Sequence, residues 1–433
     1  MLRLTFIGII VLVGTFYAVI SPFYALLFYL WNAYFRPDDW IWWVDVSSWH
    51  ISLIVGVFVL FRTLISAPTP RFNLGAGLLL LFLVQAVIGT IASEHVAVSA
   101  AFLTDFVKVI VISYLIVVLV TDRDKFRLTL VVIALSLGLE AAKQGWANLF
   151  LAPGMPNGNT ISFLGDNNGV AVGLMMLVPI LSALARTATR RWEKYAFQFI
   201  NIGVFLRALT TYSRGGFLAA AVLGVFLIGR AEKKLRAVLA IGAIVALVFT
   251  VMPQEYWDRI NTITAPAEQR DESAQGRIHF WGVAVTMAKA RPLTGVGLGG
   301  FEASYAIYDP NAPFGEDRAT HSTWFGVLAD LGVPGLALLV ANLVFAIVSC
   351  RRVARLARLD STKRDLRIYA NSLMTSLIVF IVGASFLSSQ YIEIIWHFLG
   401  LSTALTVVAF SEAEAKAPAA AAAPRIQPYA VSR

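Results

Sequence analysis

The chain has 433 residues, 58% of them hydrophobic and only 14% charged, with a mean hydropathy of +0.72. That balance excludes a soluble globular domain and indicates a polytopic membrane protein. The formal net charge of +9 sits largely in short loops between apolar runs, so it is a topology signal and gives no ground for nucleic-acid binding.

In chain order, apolar runs predict spans at 4–20, 22–35, 50–66, 74–92, 100–120, 128–150, 167–185, 195–209, 215–229, 237–252, 323–349, 370–389 and 391–410. Most approach the roughly 20 residues that cross hydrocarbon, which makes an all-α fold of about twelve or thirteen transmembrane helices. Ser21-Pro22 divides the first long run, read as a tight hairpin and not a removed signal peptide, because no small-residue cleavage site follows. Trp40, Trp42, Trp43 and Trp49, after Arg36-Pro37-Asp38-Asp39, are expected to lie in the plane of the outer interface, which indoles prefer.

Lys and Arg set the orientation. Arg123, Lys125 and Arg127; Arg186, Arg190, Arg191 and Lys194; Arg230, Lys233, Lys234 and Arg236; and the basic run from Arg351 to Arg367 occupy alternate loops, which the positive-inside rule places in the cytoplasm. The segments 36–49, 93–99, 151–166, 210–214 and 253–322 then face outward. The expected organisation is an N-terminal membrane extension (1–70), a membrane core (71–252), a large outward loop with short helices (253–322), C-terminal membrane helices (323–410) and an Ala/Pro-rich cytoplasmic tail without fixed structure (411–433). The single cysteine, Cys350, begins the last basic loop and rules out an intramolecular disulfide.

Three outward motifs carry chemistry. Ser213 is a candidate N-cap ahead of Arg214-Gly215-Gly216, and two glycines let a ligand approach the first free N–H groups of the helix. A cation there opposes the helix macrodipole unless an anion is also present, which points to a phosphate or diphosphate site; the alternative is an arginine reaching lipid headgroups. Gly276-Arg277 opens an amphipathic helix with Trp281 one turn on. There Arg277 can offer its fork to a phosphate while stacked on Trp281, or can simply dock the helix on the membrane surface. His321-Ser322 begins the return span. A continuous helix from His321 to Cys350 would measure about 44 Å against a core of about 30 Å, so the Gly332–Gly335 breaker is expected to separate an outer piece from the true span. His321 would then stand at a wet outer rim, as a general base or as a structural histidine.

Other strings are weaker. Gly295-Val296-Gly297-Leu298-Gly299-Gly300 satisfies a dinucleotide-binding pattern, but no strand precedes it and the loop faces outward. Asp122-Arg123-Asp124 reads as a solvated turn, and Glu140 with Lys143 as a neutralising pair in a span. No metal-ligand spacing is evident in the outward loops, so no metal and no cofactor is expected.

Taken together, Ser213-Arg214-Gly215-Gly216, Gly276-Arg277 with Trp281, the run Arg291 to Phe301, and His321-Ser322 with Gly332 and Gly335 resemble the O-antigen ligase and O-antigen polymerase superfamily over roughly 75–410. The N-terminal 1–70, with Asp38-Asp39-Trp40, is similar to the extension on the O-glycosylation-ligase branch. The resemblance implies a C-type glycosyltransferase membrane fold in the bacterial inner membrane. It implies transfer of a glycan from undecaprenyl diphosphate to a sugar hydroxyl of the lipid A core on the periplasmic face, with Arg214 and Arg277 on the diphosphate and His321 activating the acceptor. Many members carry Asn where this chain has Ser322, which bears on acceptor positioning. An O-antigen polymerase or a protein O-glycosylation ligase would share this chemistry. A lipid-linked oligosaccharide transporter would instead use charges distributed along its spans, and Asp105, Lys108, Glu140, Lys143, Arg207 and Glu393 enter predicted spans.

Overall fold

The computed structural model describes residues 2–40, 51–66, 68–69, 71–157, 161–231, 233–261, 272–311 and 318–416. The helices are Leu2–Ile20 (α1), Pro22–Phe35 (α2), Pro37–Trp40 (α3), Ile51–Ser66 (α4), Leu74–Ile91 (α5), Val96–Leu119 (α6), Arg123–Leu151 (α7), Asn167–Arg186 (α8), Arg191–Leu209 (α9), Arg214–Arg230 (α10), Lys234–Val251 (α11), Gln254–Asn261 (α12), Glu272–Ala290 (α13), Phe301–Tyr308 (α14), Thr323–Leu356 (α15), Arg364–Gly383 (α16) and Glu393–Lys416 (α17). Every predicted span corresponds to a helix, and the described residues form no β-strand.

Eight of these stretches are long and apolar enough to cross a membrane, fewer than the twelve or thirteen expected. Helix α2 has 14 residues and α10 has 17, while α7 and α9 carry charges along their length. Other boundaries move as well. The amphipathic helix of the outward loop starts at Glu272 and not at 276, and α15 runs to Leu356, so Cys350 is buried within a helix and does not begin a loop. Of the expected interfacial tryptophans only Trp40 is described; Trp42, Trp43, Trp49 and the tail from 417 lie outside the described residues.

Helix α8 is buried nearly all round and forms the axis, with α7, α9, α10 and α16 packed on it, while α5, α6, α15 and α17 build the neighbouring group. In lipid the hydrophobic effect does not drive helix association, so small residues that admit close backbone approach matter most. A Cβ on Gly145 of α7 would strike the carbonyl of Gly203 on α9, and one on Gly216 of α10 would lie 2.5 Å from the Ala171 Cβ of α8.

The two ends of the bundle sort as the basic loops predict. At one end Arg123 donates to the Thr362 carbonyl (2.7 Å) and Asp365 (3.0 Å), Arg127 pairs with Glu193, and Arg230 donates to the Asn371 carbonyl at 2.8 Å. At the other, Ser162 donates to Asp39 (2.6 Å), the Asn157 N–H to the Thr210 carbonyl (2.9 Å), and Ser93 to the Val296 carbonyl (2.9 Å).

The expected break in α15 falls at Gly332, with φ 67° and ψ −168°. Breaking a helix frees carbonyls that hydrocarbon cannot solvate. The glycine run satisfies them: Val296 and Gly297 N–H groups donate to Ala329 and Asp330 carbonyls at 2.9 and 3.0 Å, and Gln85 donates to Leu331 at 2.9 Å. In return the Val333 N–H reaches the Pro292 carbonyl at 2.8 Å. Gly295, Gly297 and Gly299 all adopt positive φ, so this string is a plug for a broken helix. A Cβ at Gly332 would sit 2.5 Å from the Pro292 carbonyl oxygen in addition to its backbone strain. Gly332→Ala is expected to destabilise by about 1–3 kcal/mol, seen as a lower thermal midpoint in detergent, whereas Gly77→Ala, whose Cβ would meet nothing within 4 Å, is expected to leave it unchanged or raised.

Candidate functional site

Two helix starts at the end opposite the basic loops are linked by side chains. Asp166 caps α8, accepting from the N–H groups of Asn168 (3.0 Å) and Gly169 (2.9 Å). Asn168 donates its amide to Asp166 (2.8 Å) and accepts from the Ser213 hydroxyl (2.8 Å). Ser213 in turn caps α10 by accepting from the Gly216 N–H at 3.0 Å. The capping role expected of Ser213 is therefore present, and Asp166 and Asn168 join it. Their signal was legible as an Asp-Asn-Asn run immediately before an apolar segment.

Arg214 is the first residue of α10 and is 8% exposed. Its cation and the partial positive charge of the helix start occupy one buried place, an arrangement that lowers its energy when an anion binds. Gly216 is dictated by Ala171 on α8, while Gly215 has room, its Cβ position lying 3.6 Å from Phe386. Tyr212, just before the cap, adopts φ 58°, held by a hydroxyl bond to the Gly154 carbonyl at 2.5 Å.

His321 stands at the start of the outer piece of α15 with φ 46°. A left-handed conformation costs a non-glycine residue on the order of 1–2 kcal/mol and persists only where neighbours enforce it. Trp281 enforces it from one side, its indole N–H donating to the Thr320 carbonyl at 3.1 Å and its ring stacking on Phe325 at 5.1 Å. Trp281 thus fixes the turn that presents His321. From the other side Thr320 meets Ser388 at 3.0 Å, and Thr323 donates to the Leu387 carbonyl at 2.9 Å. Ser322 is buried, and its carbonyl accepts from the Gly326 N–H at 2.8 Å.

The imidazole lies 6.3 Å, centroid to centroid, from Phe280. Burial holds its pKa below the ordinary 6.5, the Arg277 charge lowers it further, Asp166 opposes and Arg318 adds to the lowering. Arg277 and Asp166 thus act on His321 from separate elements, α13 and the start of α8. Arg214 reaches the same rim through Ser213, Asn168 and Asp166, and Gly215 beside it faces Phe386 in the 384–389 segment that also holds Thr320 and Thr323. The structure therefore gathers at one rim the arginines, Trp281 and His321, which the sequence spreads over more than a hundred positions.

The remaining strings find structural uses. His279 pairs with Asp309 at 2.6 Å, and Tyr305 donates to the same carboxylate at 2.6 Å, locking α13 to α14. Asp122 caps α7 by accepting from the Lys125 N–H at 2.9 Å. Glu140 and Lys143 form an ion pair at 2.7 Å.

A multi-pass, all-helical membrane protein with a cation-bearing rim around a half-buried histidine is the class these features define. Residues 199–340 match the family described as O-Antigen ligase, which places that segment, including Ser213, Arg214, Arg277 and His321, in the O-antigen ligase superfamily. Residues 1–189 match a family of unknown function. No curated protein matches the chain.

The charges around His321 give a pH signature for any reaction that needs neutral imidazole. The acid limb of the rate profile is expected below the pH of free imidazole. Arg277→Gln removes a neighbouring cation, so in its residual activity the limb moves to higher pH. Asp166→Asn removes the opposing anion and moves it lower. A pH series on the two variants measures both directions.

Proposed function

We propose that the protein is an O-antigen ligase that transfers a glycan from undecaprenyl diphosphate to a sugar hydroxyl of the lipid A core, with its active rim facing the periplasm of the bacterial inner membrane. The ligase-family match supports this class of activity broadly. The observation that carries the finer reading is the gathering of a buried Arg214 at a helix start, and of Arg277 and Asp166 around His321.

In this reading His321, neutral at physiological pH, takes the proton of the acceptor hydroxyl as its oxygen attacks the anomeric carbon. The bond from that carbon to the diphosphate oxygen breaks, and the negative charge left on undecaprenyl diphosphate is held by Arg214 and Arg277 as bidentate donors. A single displacement inverts the anomeric configuration. The two arginines supply the charge stabilisation, so the proposal includes no metal.

A lipid donor also needs a place for its tail. An apolar cavity of about 610 Å³ opens between α9, α10 and α11, lined along α10 by Phe217, Ala220 and Gly224 and reaching Thr210 and Tyr256 at the outer end. Phe217 lies one turn below Arg214, so a chain in this groove would deliver its diphosphate to that arginine. The span charges a transporter would need are in part spent on local pairs, Asp105 with Lys108 at 2.6 Å and Glu140 with Lys143.

Purified protein given lipid-linked glycan and rough lipopolysaccharide in detergent is expected to form product with no energy source and in the presence of EDTA. Failure without a gradient, or loss restored by one divalent ion, would overturn transfer by this route. In the same assay His321→Ala is expected to lower transfer by about 10² to 10⁴ while donor binding persists. Arg214→Lys keeps the charge but loses the fork, and should lose much of the activity, with Arg214→Ala losing on the order of 2–4 kcal/mol of transition-state stabilisation. Normal turnover in a folded Arg214→Ala protein would place the diphosphate elsewhere.

A further inference from the structure

A second cavity, of about 480 Å³, lies beside the His321 turn, with Thr320 in its wall. Unlike the groove along α10 it is polar: Arg36, Asp105, Lys108 and Glu393 line it, interleaved with the aromatic rings of Tyr29, Phe102 and Phe163. Arg36 and Lys108 both act electrostatically on Glu393, and Lys108 also pairs with Asp105 at 2.6 Å. A lipid tail would lie against the charges of Arg36 and Glu393, which disfavours an aliphatic occupant.

Three buried polar atoms in this wall have no hydrogen-bond partner among the described residues: Nε of Arg36, Oε1 of Gln390 and Oε2 of Glu393. Each such atom costs about 1–3 kcal/mol unless something satisfies it. Three of them around one cavity, a donor and two acceptors, are a binding surface held ready at the expense of stability. A ligand that fits must donate to two oxygens and accept from a guanidinium within a few ångströms, and must also present apolar patches to aromatic rings. Sugar hydroxyls both donate and accept, and the C–H face of a sugar ring supplies the apolar side. A simple anion would meet Glu393 and Asp105.

Arg36 holds its place through a strained backbone, with φ 50° at the C-terminal cap of α2. Tyr212, His321 and Arg36 are the non-glycine residues with positive φ among those described. The first precedes Arg214 by two residues, the second is the candidate base, and the third lines this cavity.

We propose that this cavity is the acceptor subsite. It receives the sugar end of the acceptor, with Glu393 and Gln390 accepting from its hydroxyls and Arg36 donating to them, and so brings another hydroxyl to His321. This rests on the transfer reading above. Arg36, Asp105, Gln390 and Glu393 all fall outside the ligase-family segment 199–340. That segment would thus carry the shared chemistry, and the flanking helices, including the N-terminal hairpin, would select what is glycosylated.

Two readouts test the subsite. In the transfer assay, Glu393→Gln and Arg36→Gln should each raise the KM for rough lipopolysaccharide about tenfold, as expected for loss of one charge-assisted hydrogen bond, with the KM for the lipid-linked donor held within about twofold. Because buried substitutions can disturb folding, Glu302→Trp, at an exposed position on the same wall, should do likewise by filling the mouth. In the second readout, Glu302→Cys in a Cys350→Ala background is labelled with a maleimide. Delipidated core oligosaccharide should slow labelling, and Glu393→Gln should abolish the protection. Unchanged acceptor KM in folded variants, a matching rise in donor KM, or absence of protection would each overturn the subsite. Protection in a protein that transfers nothing would keep the subsite and remove the proposed activity.

Discussion

Everything at the rim that carries His321 depends on how the chain satisfies backbone carbonyls where α15 breaks. In a membrane a broken helix survives only if its freed groups find partners inside the protein. Here the partners are the N–H groups of Val296 and Gly297 and the side chain of Gln85, while the Asp330 carboxylate accepts from the Phe301 N–H at 3.0 Å and the Tyr391 hydroxyl at 2.9 Å. This knot joins α5, the outward loop, α15 and the approach to α17. It fixes the short helical piece that His321 immediately precedes.

The cost of that arrangement is visible elsewhere on the same face. Arg36, Tyr212 and His321 adopt left-handed backbone conformations, and polar atoms of Arg36, Gln390 and Glu393 are buried without partners among the described residues. Strain and unsatisfied polarity are destabilising wherever they occur. The strained backbones gather at the end of the bundle opposite the basic loops.

Two cavities of opposite character meet this rim. One is apolar and runs down α10 below Arg214; the other is charged and aromatic and abuts Thr320. A reaction that joins a lipid-borne group to a hydrophilic acceptor needs such a pair, with a base between them and cations on the leaving-group side. The depressed pKa of His321 suits that position, because a histidine among arginines stays neutral and free to accept a proton.

Hydropathy and loop charge by themselves determined the all-helical class, the helix positions and the sorting of loops into two ends, since a 20-residue apolar run and a cluster of Lys and Arg have few other uses. The break at Gly332 was legible for a similar reason: a helix far longer than the bilayer needs a breaker, and a Gly-Val-Pro-Gly string supplies one. Arg214 stood out because a cation at a helix start conflicts with the dipole. Local periodicity could not show that the Gly295 to Gly300 run is a plug for that break, that Trp281 holds the Thr320 carbonyl, or that Asp166 acts on His321. Those are contacts between residues far apart in the chain, and only the packing of helices brings them within reach. The charged cavity was likewise invisible, because Arg36, Asp105 and Glu393 are isolated charges in three different helical regions, and nothing short of the assembled bundle makes them one wall.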